Sequence, residues 1–132
     1  MPELNRRSLD ALSNVDDRLM KIAREAITRI GFAVTQGYRD PVEQDRLYAE
    51  GKSKLKGGKS KHNRSPAHAF DFIPQPFSNA DWSNIQKFRE VARVLCAVAA
   101  EQGVEVRWGG TWTSNVDDPL ARFLDGPHFE LA

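Results

Sequence analysis

Apolar residues Leu12, Val15, Leu19, Ile22, Ala26 and Ile30 recur at steps of three and four near the start of the chain. That period places them on one face of an amphipathic helix, with a break at Ser13-Asn14 and a stop at Gly31. Phe32-Ala-Val-Thr35 then predicts a short strand. A second helix opens with Asp40 as N-cap, Pro41 at the first helical position and Glu43 completing a capping box. It runs through Gln44, Leu47 and Tyr48 and ends at Gly51. The longest helix is predicted from Asp81 to Gln102, with Ile85, Phe88, Val91, Leu95 and Val98 along its stripe and Gly103 as its stop.

Strand periodicity bears more directly on chemistry. Ala67 to Ile73 alternates, so Ala69, Asp71 and Ile73 share one face while His68, Phe70 and Phe72 share the other. Val104-Glu-Val-Arg-Trp108 alternates as well, and His128-Phe-Glu-Leu131 predicts a closing strand. The segments Gly51 to Ser60, Pro74 to Asn79 and Thr113 to Leu124 read as loops. There is no repeat, low-complexity stretch or linker. The mixture predicts an α+β fold, one domain over residues 1–132 with a small antiparallel sheet packed with three main helices.

Composition narrows the partners. A 40% hydrophobic and 28% charged chain is ordinary for a soluble globular protein, and a net charge of +1 argues against a nucleic-acid partner. The one basic cluster, Lys52-Ser-Lys-Leu-Lys-Gly-Gly-Lys-Ser-Lys-His62, reads either as a solvated loop or as a positive lip suited to an anionic substrate. Cys96 is the single cysteine, so an intramolecular disulfide is excluded; within Val94-Leu-Cys-Ala-Val98 it reads as a core thiol. No apolar run approaches the ~18 residues of a membrane span, and Met1-Pro-Glu-Leu-Asn-Arg-Arg7 lacks the apolar core of a signal peptide. The expectation is a monomer made in the cytoplasm, without stable membrane association.

The histidines supply the candidate chemistry. His62, Asp71 and His128 offer two imidazoles and a carboxylate, enough to hold one zinc ion with a coordination position left for water. His68 is set aside, because a regular strand turns it away from Asp71. Asp71, sharing a face with Ala69 and Ile73, reads as a carboxylate aimed at an apolar interior, where it needs a partner. Asp125, three residues before His128 in Asp125-Gly-Pro-His128, is placed to accept a proton from zinc-activated water. The plain alternative is a set of ordinary hydrogen-bonded loop residues.

Four blocks in order resemble the zinc peptidases of the D-alanyl-D-alanine carboxypeptidase and L-alanyl-D-glutamate endopeptidase family, which includes phage endolysins. They are Gln36-Gly-Tyr-Arg39 through Gly51, Ser60-Lys-His62 through Ala69-Phe-Asp71, Arg107-Trp-Gly-Gly-Thr-Trp112, and Asp125-Gly-Pro-His128-Phe-Glu130. The resemblance implies that His62, Asp71 and His128 bind zinc and that Asp125 is the catalytic carboxylate. It further implies that Arg39 stabilises the developing oxyanion, against the reading of a salt bridge with Asp40. Ser60 then supports the zinc motif, Trp108 and Trp112 shape the cleft or fill the core, and Glu130 backs His128 from the same strand face. Two departures stand out: the nine-residue step from His62 to Asp71 is longer than in many members, and Thr111 replaces the aspartate of the Trp-Gly-Gly-Asp-Trp block.

The implied activity is hydrolysis of the L-alanyl-D-glutamate bond in the stem peptide of bacterial peptidoglycan, on a Hedgehog/D-Ala-D-Ala-peptidase-like fold. Absence of a leader fits a phage endolysin released to the wall by a holin. The closing Asp-x-x-His motif leans away from a D,D-carboxypeptidase, which stays as the alternative within the family. A non-catalytic wall-binding module is the alternative from another class, and an intact Asp125 argues against it.

Overall fold

The computed structural model describes residues 3–52, 57–58 and 60–132. Its elements run α1 (Arg6–Ala11), α2 (Asp17–Ala26), β1 (Phe32–Gln36), α3 (Pro41–Ala49), β2 (Ala69–Pro74), α4 (Ile85–Glu101), β3 (Val106–Trp108) and β4 (His128–Leu131). The fold is α+β, as expected, with four α-helices among the described residues rather than three. The extra helix comes from the break at Ser13-Asn14. A 3-10 turn over Leu12–Asn14 separates α1 from α2, and Asp16 caps the new start by accepting from Arg18 N at 2.9 Å. Likewise Asn79–Ser83 forms its own 3-10 turn, so the longest helix begins at Ile85 rather than Asp81. In α3, Asp40 accepts from Val42 N at 2.8 Å as its N-cap, while Glu43 engages Arg46 Nε at 2.9 Å.

All four strands are antiparallel, in the order β1-β2-β4-β3. Helices α2 and α4 cover one face of the sheet. Leu19, Ile22 and Ala26 of α2 and Phe88, Val91, Leu95 and Val98 of α4 bury there against Phe70, Phe72, Phe129 and Trp108. Cys96 is half-buried against this core, and burial pushes its thiol up to about 12, which makes it inert at neutral pH. No helix among the described residues is long and apolar enough to cross a membrane.

One expectation about the sheet is corrected. Asp71 does not point into the apolar interior; Phe70 and Phe72 take that face, and their ring contacts include Phe129 at 5.3 Å and Phe88 at 6.0 Å. Two bulky aromatics gain more from burial under the helices than Ala69 and Ile73 would. Asp71 therefore lies on the face away from α2 and α4, where a cleft opens. Pairing sets what joins it: Asp71 stands directly across from His128, and Ala69 across from Glu130.

On the other side of β2, a bulge between Val34 and Gln36 shifts the register so that Gln36, not Thr35, is opposite Asp71. One extra residue thus places an amide beside the carboxylate. β1 is an edge strand, and α1 covers it: Ser8 Oγ, fully buried, accepts from Val34 N at 2.8 Å.

Candidate metal centre and its cleft

His62 sits in a 3-10 turn, Lys61–Asn63, that is capped on both sides. Ser60 Oγ accepts from His62 N at 3.1 Å, and Asn63 Oδ1 accepts from Ser60 N at 3.2 Å. The turn is bonded to the start of the second block, with Arg39 N donating to His62 O at 2.7 Å and Asn63 Nδ2 to Arg39 O at 2.8 Å. Residues far apart in sequence are thereby held together by backbone. The long step to Asp71 is taken up before β2, where Asn14 Nδ2 donates to Ser65 Oγ at 3.2 Å and Ala67 N to Asn14 O at 2.9 Å.

The imidazoles converge on Asp71 with complementary tautomers. His62 Nδ1 lies 2.7 Å from Gly37 O, and a carbonyl only accepts, so Nδ1 carries the proton. Its Nε2 then faces Asp71 Oδ1 at 3.1 Å. His128 is turned the other way: Nε2 lies 2.8 Å from Glu130 Oε1, and Nδ1 faces Asp71 Oδ1 at 3.6 Å. One donor atom each from His62, Asp71 and His128 lies within 4.8 Å of the others. Two imidazole nitrogens and a carboxylate oxygen, with the outer nitrogens engaged by a carbonyl and a carboxylate, fit a zinc ion. His68 is not in this group; its backbone ties β2 to neighbours, with His68 N donating to Lys61 O at 2.9 Å.

Electrostatics in this corner favours positive charge. Burial by itself would raise Asp71, but the neighbouring imidazoles of His128 and His62 outweigh it and hold the carboxyl well below the usual range. Burial likewise opposes charge on His128, yet Asp71 and Glu130 push it up to about 9. Glu130 is held below its ordinary value because His128 and Lys61 outweigh its burial. Glu130 also accepts from Arg107 Nε at 3.1 Å and pairs with Lys61 Nζ at 3.2 Å, so two cations fix it behind His128.

Asp125 behaves oppositely. Although solvent-exposed as a residue, its carboxyl is pushed up by the protein packed around it and by the Asp71 charge. Its turn is locked by Asp125 N donating to Gly109 O at 2.8 Å and His128 N to Asp125 O at 3.0 Å. Gly109 is required for this approach, since a Cβ there would lie 2.2 Å from Asp125 O.

Arg39 reaches the site and does not pair with Asp40. Its guanidinium donates to Gln44 Oε1 at 2.7 Å and Gln36 Oε1 at 3.1 Å, and approaches Asp71 Oδ2 at 3.6 Å. Sequence reasoning quoted both glutamines within a block but gave neither a role. α3 buries the polar Gln44 rather than an apolar stripe, so its sequence carried no signal for that role. The tryptophans divide. Trp108 is in the core, its Nε1 donating to Gly126 O at 2.7 Å, whereas Trp112 lines the cleft 5.2 Å from the His128 ring. Thr111 is buried, and its Oγ1 accepts from Thr113 Oγ1 at 3.1 Å.

These groups line one cleft of about 1100 Å³, with Arg39, His62, Asp71, Trp112, Asp125 and His128 on its walls. Of the basic loop, Lys52 and Lys61 line it too, while residues 53–56 and 59 lie outside the described residues. Gly37 gives a direct test of how the centre is held. A Cβ there would lie 2.1 Å from Ala11 O, so Gly37→Ala must displace the carbonyl that orients His62. The variant is expected to melt lower and bind zinc less tightly, by about 10–100-fold in titration; unchanged affinity would mean that the Gly37 contact does not set the His62 ring.

Fold and site together define a class: an α+β protein whose two central strands, β2 and β4, present a candidate metal centre at an open cleft. The chain belongs to the phage L-alanyl-D-glutamate peptidase family, whose profile matches residues 2–132. It is 30% identical over 112 residues to the peptidoglycan L-alanyl-D-glutamate endopeptidase CwlK of Bacillus subtilis (strain 168), a match covering 77% of this chain. The match spans only 61% of that relative's length. The crystal structure of Serratia marcescens L-Ala D-Glu endopeptidase ChiX is similar with a TM-score of 0.79 and 27% identity, over 98% of this chain and 90% of that one.

Proposed function

We propose that this protein is a zinc peptidase that hydrolyses the L-alanyl-D-glutamate bond in the stem peptide of bacterial peptidoglycan, serving as a phage lysis enzyme. The observation that carries the reading is the convergence of His62 Nε2, Asp71 Oδ1 and His128 Nδ1 at the cleft, each histidine's other nitrogen being engaged. The bond is taken from the family and from the names of the two similar endopeptidases. Zinc held by the three side chains supplies Lewis acidity to an attacking water and a substrate carbonyl.

The protein's own groups do the rest. Asp125, its carboxyl pushed up by the protein packed around it and by the Asp71 charge, stands three residues from His128, takes the water's proton and delivers it to the leaving amine. Arg39 keeps donors beyond those given to Gln36 and Gln44, and its charge beside Asp71 places them where a carbonyl oxygen gains negative charge. The two glutamines fix the fork, so little reorganisation accompanies the reaction. Trp112 packs beside the His128 ring at the cleft.

Purified protein should release amino groups from peptidoglycan, lose that activity with a chelator and regain it with zinc. Mass spectrometry of the digest decides the bond. New D-glutamate N-termini are expected; release of terminal D-alanine would replace this reading with a D,D-carboxypeptidase. Stoichiometric zinc with no hydrolysis would leave a binding module.

A further inference from the structure

The proposed substrate brings a charge of its own to the cleft. In peptidoglycan the stem continues from the side-chain carboxyl of D-glutamate, so the carbon bearing the scissile nitrogen also carries a free carboxylate. Asp125 serves that nitrogen, and Asp71 lies behind it. A substrate carboxylate arriving beside Asp125 needs a cation of the cleft wall to hold it.

The cleft-lining cations are not equally available. Arg39 is engaged by Gln36, Gln44 and Asp71. Lys61 is engaged by Glu130 and the Leu131 carbonyl, and Lys52 pairs with Glu50 at 3.2 Å. Arg122 also lines the cleft, and among the described residues it has no carboxylate within ion-pair distance; its guanidinium lies 5.7 Å from the exposed Phe123 ring.

The backbone around Arg122 is fixed by three hydrogen bonds. Ala121 N donates to Gly110 O at 2.9 Å, Trp112 Nε1 donates to Phe123 O at 2.9 Å, and Asp125 N donates to Gly109 O at 2.8 Å. Three ties thus fasten one strap to the Trp108-to-Trp112 block, on both sides of Arg122. That strap carries Asp125 as well, and both residues line the cleft.

We infer that Arg122 is the specificity residue for the leaving glutamate, binding its free carboxylate and rejecting substrates in which that group is amidated. This rests on the peptidase reading above. A guanidinium paired with a carboxylate offers two parallel N–H donors, and an amide offers neither the charge nor the second acceptor. The role concerns which stem peptides are cut: those ending this residue in a carboxylate rather than a carboxamide.

The test uses zinc-loaded protein and two synthetic peptides, L-alanyl-γ-D-glutamyl-L-lysine and the same peptide with the glutamate α-carboxamide. The parent is expected to prefer the carboxylate peptide by about 10–100-fold in kcat/KM, the range for a hydrogen bond to a charged group. Arg122→Gln should lose that preference by slowing the carboxylate peptide alone, with the amide peptide cut as before, and Arg122→Lys should keep part of it. If Arg122→Gln lowers both peptides by one factor, or the parent cuts both alike, the inference is wrong. If the folded, zinc-bound parent cuts neither peptide, the peptidase reading itself fails.

Discussion

Asp125→Asn is expected to lower peptide hydrolysis by about 10²–10⁴-fold, the range for a positioned general base, and to raise the melting temperature of the zinc-free protein. The two effects have one cause. Packed protein and the Asp71 charge push the Asp125 carboxyl up, so its ionised form costs stability at neutral pH. Asparagine removes the charge along with the base. For an acid raised on folding, the cost is full above the raised value and absent below the ordinary value of 3.8. The gain in melting temperature should therefore be largest near neutrality and shrink as pH falls. Hydrolysis rates and zinc-free melting curves at several pH values check both halves; a variant with most of its activity intact removes Asp125 as the base.

The same substitution at Asp71 should do the opposite to stability. Asp71→Asn is expected to lose zinc, to abolish hydrolysis, and to lower the melting temperature of the zinc-free protein. Here the carboxylate is held below its ordinary range, burial being outweighed by His128 and His62, so its charge is stabilising. Removing it leaves His62, His128 and the Arg39 guanidinium facing a neutral amide. Loss of one partner from a buried ion pair costs about 3–5 kcal/mol; because Asp71 is 20% exposed, roughly 2 kcal/mol is the better expectation. Metal analysis and calorimetry decide it. Stoichiometric zinc in the variant would show that Asp71 is not a ligand. Two aspartates in one cleft, given one mutation, thus separate a ligand from a base by the sign of the change in stability.

Much of the fold was legible because side-chain period and chain direction are local. The stripe of α4, the Asp40-Pro41 start of α3 and the alternation of β2 and β4 follow from residue order and needed no tertiary knowledge. The set-aside of His68 came from the same period-two rule. What failed was the choice of which face of β2 is the core. Alternation sorts residues into two sets, but only packing decides that Phe70 and Phe72 lie under α2 and α4. The tryptophans show the same limit: Trp108 and Trp112 stand in one block, and a turn places one in the core and the other beside His128.

The Arg39 clamp was hidden for a different reason. Gln36 reaches Asp71 only through the bulge in β1, and a single inserted residue leaves no mark in composition or period. Gln44 is buried in a helix with no apolar stripe, so nothing marked it as facing inward.

By itself, then, the sequence determined the kinds of element, the chemistry available to them and a short set of residues with the right ligand types. The tertiary structure decided how those groups meet: strand register set Asp71 across from His128, a capped turn bonded to Arg39 delivered His62, and opposite environments drove Asp71 and Asp125 apart. The division has a physical origin. Period and capping depend on neighbours along the chain, whereas register, burial and charge depend on groups that only folding brings within a few ångströms.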